Sequence, residues 1–138
     1  MSLTGKALIG AAVLCFHVFL TAGCTVPHRA DRNDPLLGTW RTERGIIMTV
    51  QMTEGNGAEA SIKLAPGYIG DDFTIGKVVI NSIKPAPDGG WTGLFLMPGN
   101  LMPVKVDISV FSGKKMLIIS RDKRVKKNSM LWRRIDKP

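Results

Sequence analysis

The sequence predicts an all-β domain, an antiparallel up-and-down meander of seven or eight strands closing into a small barrel, with a two-layer sandwich as the alternative. Three observations carry this expectation. Apolar residues recur with period two, turn signals recur at short spacing, and no window of ten or more residues keeps a helical apolar stripe. The region concerned, Leu36 to Ile135, spans about 100 residues, the size of one domain with one core.

The alternation is clearest in three stretches. In Ile46 to Thr53, Ile46, Met48, Val50 and Met52 share one face, and Thr49, Gln51 and Thr53 share the other. In Ala58 to Leu64, Ala58, Ala60, Ile62 and Leu64 oppose Glu59, Ser61 and Lys63. In Val104 to Val110, the valines and Ile108 alternate with Lys105, Asp107 and Ser109. One apolar and one polar face is the signature of half-buried antiparallel strands. Between such stretches stand Glu54-Gly-Asn-Gly, Ala65-Pro-Gly, Asp88-Gly-Gly, Pro98-Gly-Asn and Ser112-Gly-Lys, each a turn signal. Strands are therefore expected at 38–43, 45–54, 57–65, 72–84, 90–97, 102–111, 114–121 and 129–135. The methionines Met48, Met52, Met97, Met102, Met116 and Met130 are soft fillers, expected to pack the core or, alternatively, to line an adaptable apolar pocket.

The first 35 residues read differently. Lys6 is the only charge before Arg29, and Ala7 to Leu20 is apolar except for Gly10 and His17. That run is about 14 residues, short of the roughly 20 that cross a bilayer, and it ends on small residues as a secretory signal does. Leu20-Thr21-Ala22-Gly23 then lead directly into Cys24. This order resembles the bacterial lipoprotein lipobox, with Leu20 one place earlier than the usual pattern and Thr21 in its place. The resemblance implies a diacylglyceryl group on the Cys24 sulfur, cleavage before Cys24 and acylation of the new amino terminus. The only other cysteine, Cys15, falls inside the removed segment, so Cys24 has no disulfide partner within the mature chain. Two or three acyl chains anchor a protein far more firmly than one. Thr25 follows where an Asp in enteric bacteria favours inner-membrane retention, so the resemblance implies the outer membrane, facing the periplasm. Residues 1–23 are thus expected as signal peptide, 24–35 as lipidated cysteine and tether (Thr25 to Pro35 has two prolines, several charges and no apolar period), and 36–138 as the β domain.

Gly38-Thr39-Trp40 opens the domain and Trp132-Arg133-Arg134-Ile135 closes it. A Gly-x-Trp on the first strand with an Arg near the end is similar to lipocalin-like barrels, where the Arg covers the Trp at the closed end. With Trp91 to Gly93 as a Trp-x-Gly, the order also resembles a family of small secreted bacterial proteins known only as a domain of unknown function. The resemblance makes Trp40, Trp132 and Arg134 structural residues and brings no activity with it.

Chemistry is limited by what the mature chain lacks. Its one histidine, His28, lies in the tether and its one cysteine is the lipidated Cys24, so Ser-His and Cys-His pairs and ordinary zinc sites are excluded. No Gly-x-Ser-x-Gly or phosphate-loop pattern occurs. Asp71-Asp72 is the one paired carboxylate, and adjacent residues point apart where glycosidases need facing groups, so Gly67 to Asp72 reads as a turn. A carboxylate enzyme would need Asp71 or Asp72 to meet Glu43, Glu54 or Glu59 in a cleft. No enzyme activity, metal or cofactor beyond the covalent lipid is expected.

The chain carries a net charge of +8. Residues 24–111 hold 8 Lys and Arg against 9 Asp and Glu, whereas 112–138 hold 10 against 2. The densest part, Arg121, Lys123, Arg124, Lys126 and Lys127, is placed at a hairpin tip as a candidate anion-binding site, with a merely solubilising loop as the alternative. Nucleic acid is not the expected partner, because the signal removes the chain from it and no aromatic interleaves the lysines. Anionic lipid, lipopolysaccharide or an acidic cell-wall polymer fits better. The function expected is that of a lipid-anchored envelope protein of binding or structural type; the alternative is a lipocalin-like carrier of a small apolar ligand, which requires a real cavity.

Overall fold

The computed structural model of the chain describes residues 34–96, 98–125 and 129–136. Cys24, the signal and tether segments as far as residue 33, Met97, Lys126 and Lys127 lie outside them.

Eight strands form a closed antiparallel barrel in sequence order: β1 (Gly38–Arg41), β2 (Ile47–Met52), β3 (Ala58–Leu64), β4 (Val78–Pro85), β5 (Trp91–Phe95), β6 (Val104–Phe111), β7 (Lys115–Ser120) and β8 (Ser129–Arg134). Each strand pairs with its successor, and β8 closes on β1 through Trp40 opposite Arg134 and Arg41 opposite Arg133. Closure leaves no unpaired edge. It is this pairing that selects the barrel over the sandwich.

The period-two faces point as the alternation requires. Met48, Val50, Ala58, Ala60, Ile62, Val106, Ile108, Met116 and Ile118 are buried in the interior with Leu36, Trp40 and Trp132. Seventeen buried apolar residues form one cluster. At about 1.5–3 kcal/mol for each large side chain, their burial is the main force favouring the fold.

The expected strand at 72–84 begins late. Asp71–Phe73 form a single 3-10 turn and β4 starts only at Val78. Within β4 two extra residues break the alternation. Ala60 pairs with Ile80 while Ser61 pairs with Val78, so Val79 is a bulge; a second bulge lies at Asn81–Lys84, where Ser82 has φ 52°. The bulges turn Val79, Ile80 and Ile83 all inward. Met102, expected on a strand, precedes β6 and is 77% exposed, so it is not a core filler.

The connections divide by length between the two ends. Turns at 53–57, 86–90 and 112–114 lie at one end, with the start of β1 and the finish of β8; the longer connections at 65–77, 96–103 and 121–128 lie at the other, with 42–46.

Candidate functional site

The short-turn end is sealed by the residues of the two terminal motifs. Trp40 is fully buried, and its indole N–H donates to the Leu36 carbonyl at 3.0 Å. The Arg134 guanidinium lies over the Trp40 ring, 4.4 Å from its centroid. Arg134 Nε donates to the Gly113 carbonyl at 2.6 Å, Nη1 to the Leu37 carbonyl at 2.8 Å and Nη2 to the Pro35 carbonyl. Asp136 accepts the Thr39 N–H and pairs with Arg134. Gly38 is required here: its φ is 132°, and a Cβ would stand 2.6 Å from Asp136 Oδ2 and closer still to Arg134 Nη1. Gly38, Trp40 and Arg134 are one device, a plug that also holds the incoming chain at this end.

The opposite end is open. A cavity of about 240 Å³ enters the barrel there, walled by Ile46, Met48, Ile62, Val79, Phe95, Met130 and Trp132. Its mouth is formed by Thr42, Glu43 and Arg44 of the β1–β2 connection, Asp72 and Phe73 of the 3-10 turn, and Pro98. Two of the methionines thus line a pocket, whereas Met116 is core. Trp132, buried in the same core cluster as Trp40, is part of the cavity wall.

Asp72 organises the rim. Its Oδ1 accepts from Lys77 Nζ at 2.8 Å and its Oδ2 from the Gly99 N–H at 3.1 Å, which ties the 65–77 loop to the 96–103 loop. The Lys77 hydrogen bond, with that from Gly99, holds the Asp72 carboxyl below its ordinary value of 3.8, so it stays ionised. Glu43 shares the mouth with Asp72, whereas Asp71 does not line it. With both oxygens engaged and its proton affinity lowered, Asp72 is a rim clamp and a poor proton donor. Among the described residues no group of three His, Cys, Asp or Glu is placed to hold a metal ion.

The basic loop leaves β7 at the same end. Ser120, buried, accepts the Asp122 N–H through its hydroxyl oxygen at 3.1 Å and shapes the start of the loop. Arg121 Nε donates to Asp107 at 2.8 Å, and Arg124 Nη2 donates to Asp122 at 2.8 Å. The Arg124 hydrogen bonds bring Asp122 down to about 2. Two of the candidate anion-binding residues are therefore engaged within the chain, while the Lys123 side chain is exposed.

The methionines raise the cavity only as the alternative to core packing, and the rim clamp carries no signal in the sequence that pattern reading could find. A comparison with protein-family models, curated proteins and solved structures finds nothing that this chain matches.

Proposed function

We propose that this chain is a lipid-anchored protein of the bacterial cell envelope that binds a small apolar molecule in the open end of its barrel and does not catalyse a reaction on it. The carrier reading is preferred to that of a purely structural component on one observation, the apolar cavity. An eight-stranded barrel is just filled by its own side chains or holds one small ligand, and here space remains. A cavity of roughly 150 Å³ accepts benzene, so about 240 Å³ suits a compound of about ten non-hydrogen atoms or the end of an acyl chain. Arg44 at the mouth suits a ligand with an anionic head.

The anchor half of the proposal rests on Cys24 and the residues before it. An envelope location and the outer-membrane assignment follow from that resemblance. The absence of a domain histidine or cysteine from the sequence, and the clamped state of Asp72, support binding without catalysis.

Filling the cavity tests the ligand reading. Val79→Trp is expected to weaken binding of anilinonaphthalene sulfonate, and of medium-chain fatty acids that displace it, by about tenfold or more, equivalent to roughly 1.4 kcal/mol. Stability should be retained, because the indole enters empty space. A dye affinity unchanged by Val79→Trp, or no binding by the parent chain, overturns the reading. The anchor is tested by intact mass after expression of the full chain in a Gram-negative host. The expected product begins at Cys24 and carries acyl groups that Cys24→Ser lacks; an unprocessed, unacylated chain removes the envelope assignment.

A further inference from the structure

The open end also carries an apolar surface that the interior does not use. Ile69 is 97% exposed and Ile75 67% in the 65–77 loop; Leu101 is 98% exposed and Met102 77% in the 96–103 loop. Leu64, at the upper end of β3, is half exposed beside them. The Asp72–Gly99 hydrogen bond ties together, at the rim of the cavity, the two loops that carry four of these side chains. Single exposed apolar residues are ordinary; five on neighbouring strand ends mark a contact surface.

Charge identifies what that surface meets. Lys63 at the end of β3, Lys105 at the start of β6, and Lys123 and Arg124 in the connection after β7 are all exposed at the same end of the barrel. Of the carboxylates at this end, Asp72 is paired with Lys77 and Asp122 with Arg124; Glu43 and Asp71 are the others. Among the described residues, the four connections at this end with the two strand residues on either side of each carry eight Lys and Arg against four Asp and Glu; the three turns at the other, counted the same way, carry three against three. Apolar tips and cations at one end match an anionic lipid leaflet, whose interface takes up the tips while its headgroups meet the cations.

We propose that the open end docks on an anionic bilayer surface, with Ile69, Leu101 and Met102 entering the interface and Lys63, Lys105 and Lys123 lying on the headgroups, so that the cavity mouth faces lipid. The chain outside the described residues permits this on the membrane that holds the anchor. The incoming segment is fixed at the opposite, plugged end by Arg134, but nine residues, and so ten Cα–Cα steps, separate Cys24 from Asp34, a reach of up to about 35 Å. Strands of six to eight residues are about 20–27 Å long. The tether can therefore pass the length of the barrel. The inference goes beyond ligand binding, and an empty cavity would leave it standing.

The test places a polarity-sensitive fluorophore at each end of the full chain. In a Cys15→Ser, Cys24→Ser background, Asn100→Cys carries the label beside Leu101 and Asp88→Cys carries it in a turn at the plugged end. With vesicles containing phosphatidylglycerol and brominated acyl chains, the label at 100 is expected to shift to the blue and be quenched, and that at 88 to remain in water. Adding Leu101→Asp should weaken the vesicle-dependent signal by about tenfold or more, and Lys123→Gln by about fivefold. Quenching at both positions or at neither, or an equal signal on vesicles of phosphatidylcholine alone, overturns the proposal. A label at 100 already buried without vesicles also overturns it, since the tips are then covered by the chain's own Ala7–Leu20 segment or a second copy. Val79→Trp should leave this signal unchanged, which separates the failure of docking from the failure of ligand binding.

Discussion

Arg134→Ala is expected to cost about 4 kcal/mol of folding stability, on the order of 20 °C in Tm for a domain of this size. The Arg134 side chain is only 8% exposed and serves three backbone carbonyls, those of Pro35, Leu37 and Gly113, while its guanidinium covers the Trp40 ring. Alanine leaves those acceptors without their donor and opens the end of the core above a fully buried indole. A hydrogen bond to a charged group contributes about 1.5–3 kcal/mol and a desolvated cation–π contact about 2, so the total is set below their sum because water reaches part of the site after truncation. Arg134→Lys keeps the charge but not the planar fork that reaches carbonyls on two segments at once, and about half the loss is expected. Urea unfolding followed by tryptophan emission measures both. An alanine variant within about 1 kcal/mol of the parent would show that the plug does not hold the barrel closed.

Gly38→Ala is expected to cost about 3 kcal/mol. Its φ of 132° is a conformation that side chains rarely adopt, worth about 1–3 kcal/mol of strain, and the new methyl group would meet Asp136 and the Arg134 guanidinium. The two substitutions share a cause. In Gly38→Ala/Arg134→Ala the closest of the steric contacts is gone, because the guanidinium is absent, although that with Asp136 remains. The double variant should therefore lose less than the two single losses together, by about 1 kcal/mol or more. Additivity within about 0.5 kcal/mol would mean that Gly38 is needed for its backbone alone.

These residues show how far the sequence could be read. Gly38, Trp40 and Arg134 lie in two short motifs at opposite ends of the domain, and only the β1–β8 pairing brings them into contact. The alternation in β2, β3 and β6 was legible because each has one face in the core and one in water, so period two is written directly into residue type. β4 was not, because its bulges put Val79, Ile80 and Ile83 on the same side, and the sequence Val78 to Pro85 carries no mark of where an extra residue is inserted. Ile80 and Ile83 find room because Gly93 lies beneath them; a Cβ there would stand 2.9 Å from Ile80 Cγ2. The Trp-x-Gly at Trp91–Gly93 thus has a packing reason that the sequence did not disclose. For the site, the basic segment was evident from charge count, but its pairing was not: Asp107 lies on β6, and it meets Arg121 only because β6 and β7 are register neighbours. The cavity stood only as an alternative, since whether Met48, Met130 and Phe95 fill the interior or line a space depends on volumes summed over several strands.

The sequence by itself determined the all-β class, a strand number of seven or eight with their approximate positions, the concentration of positive charge in the last quarter of the chain and the absence of histidine and cysteine from residues 36–138. These are properties of local residue type and spacing, and local rules are enough to read them. Only the tertiary structure decided that the strands close into a barrel, that one end is plugged and the other open, that an apolar cavity remains, and that exposed apolar residues and cations lie in the connections at the open end. Each of those depends on which distant segments become neighbours, and that is settled by strand pairing and packing volume across the whole domain.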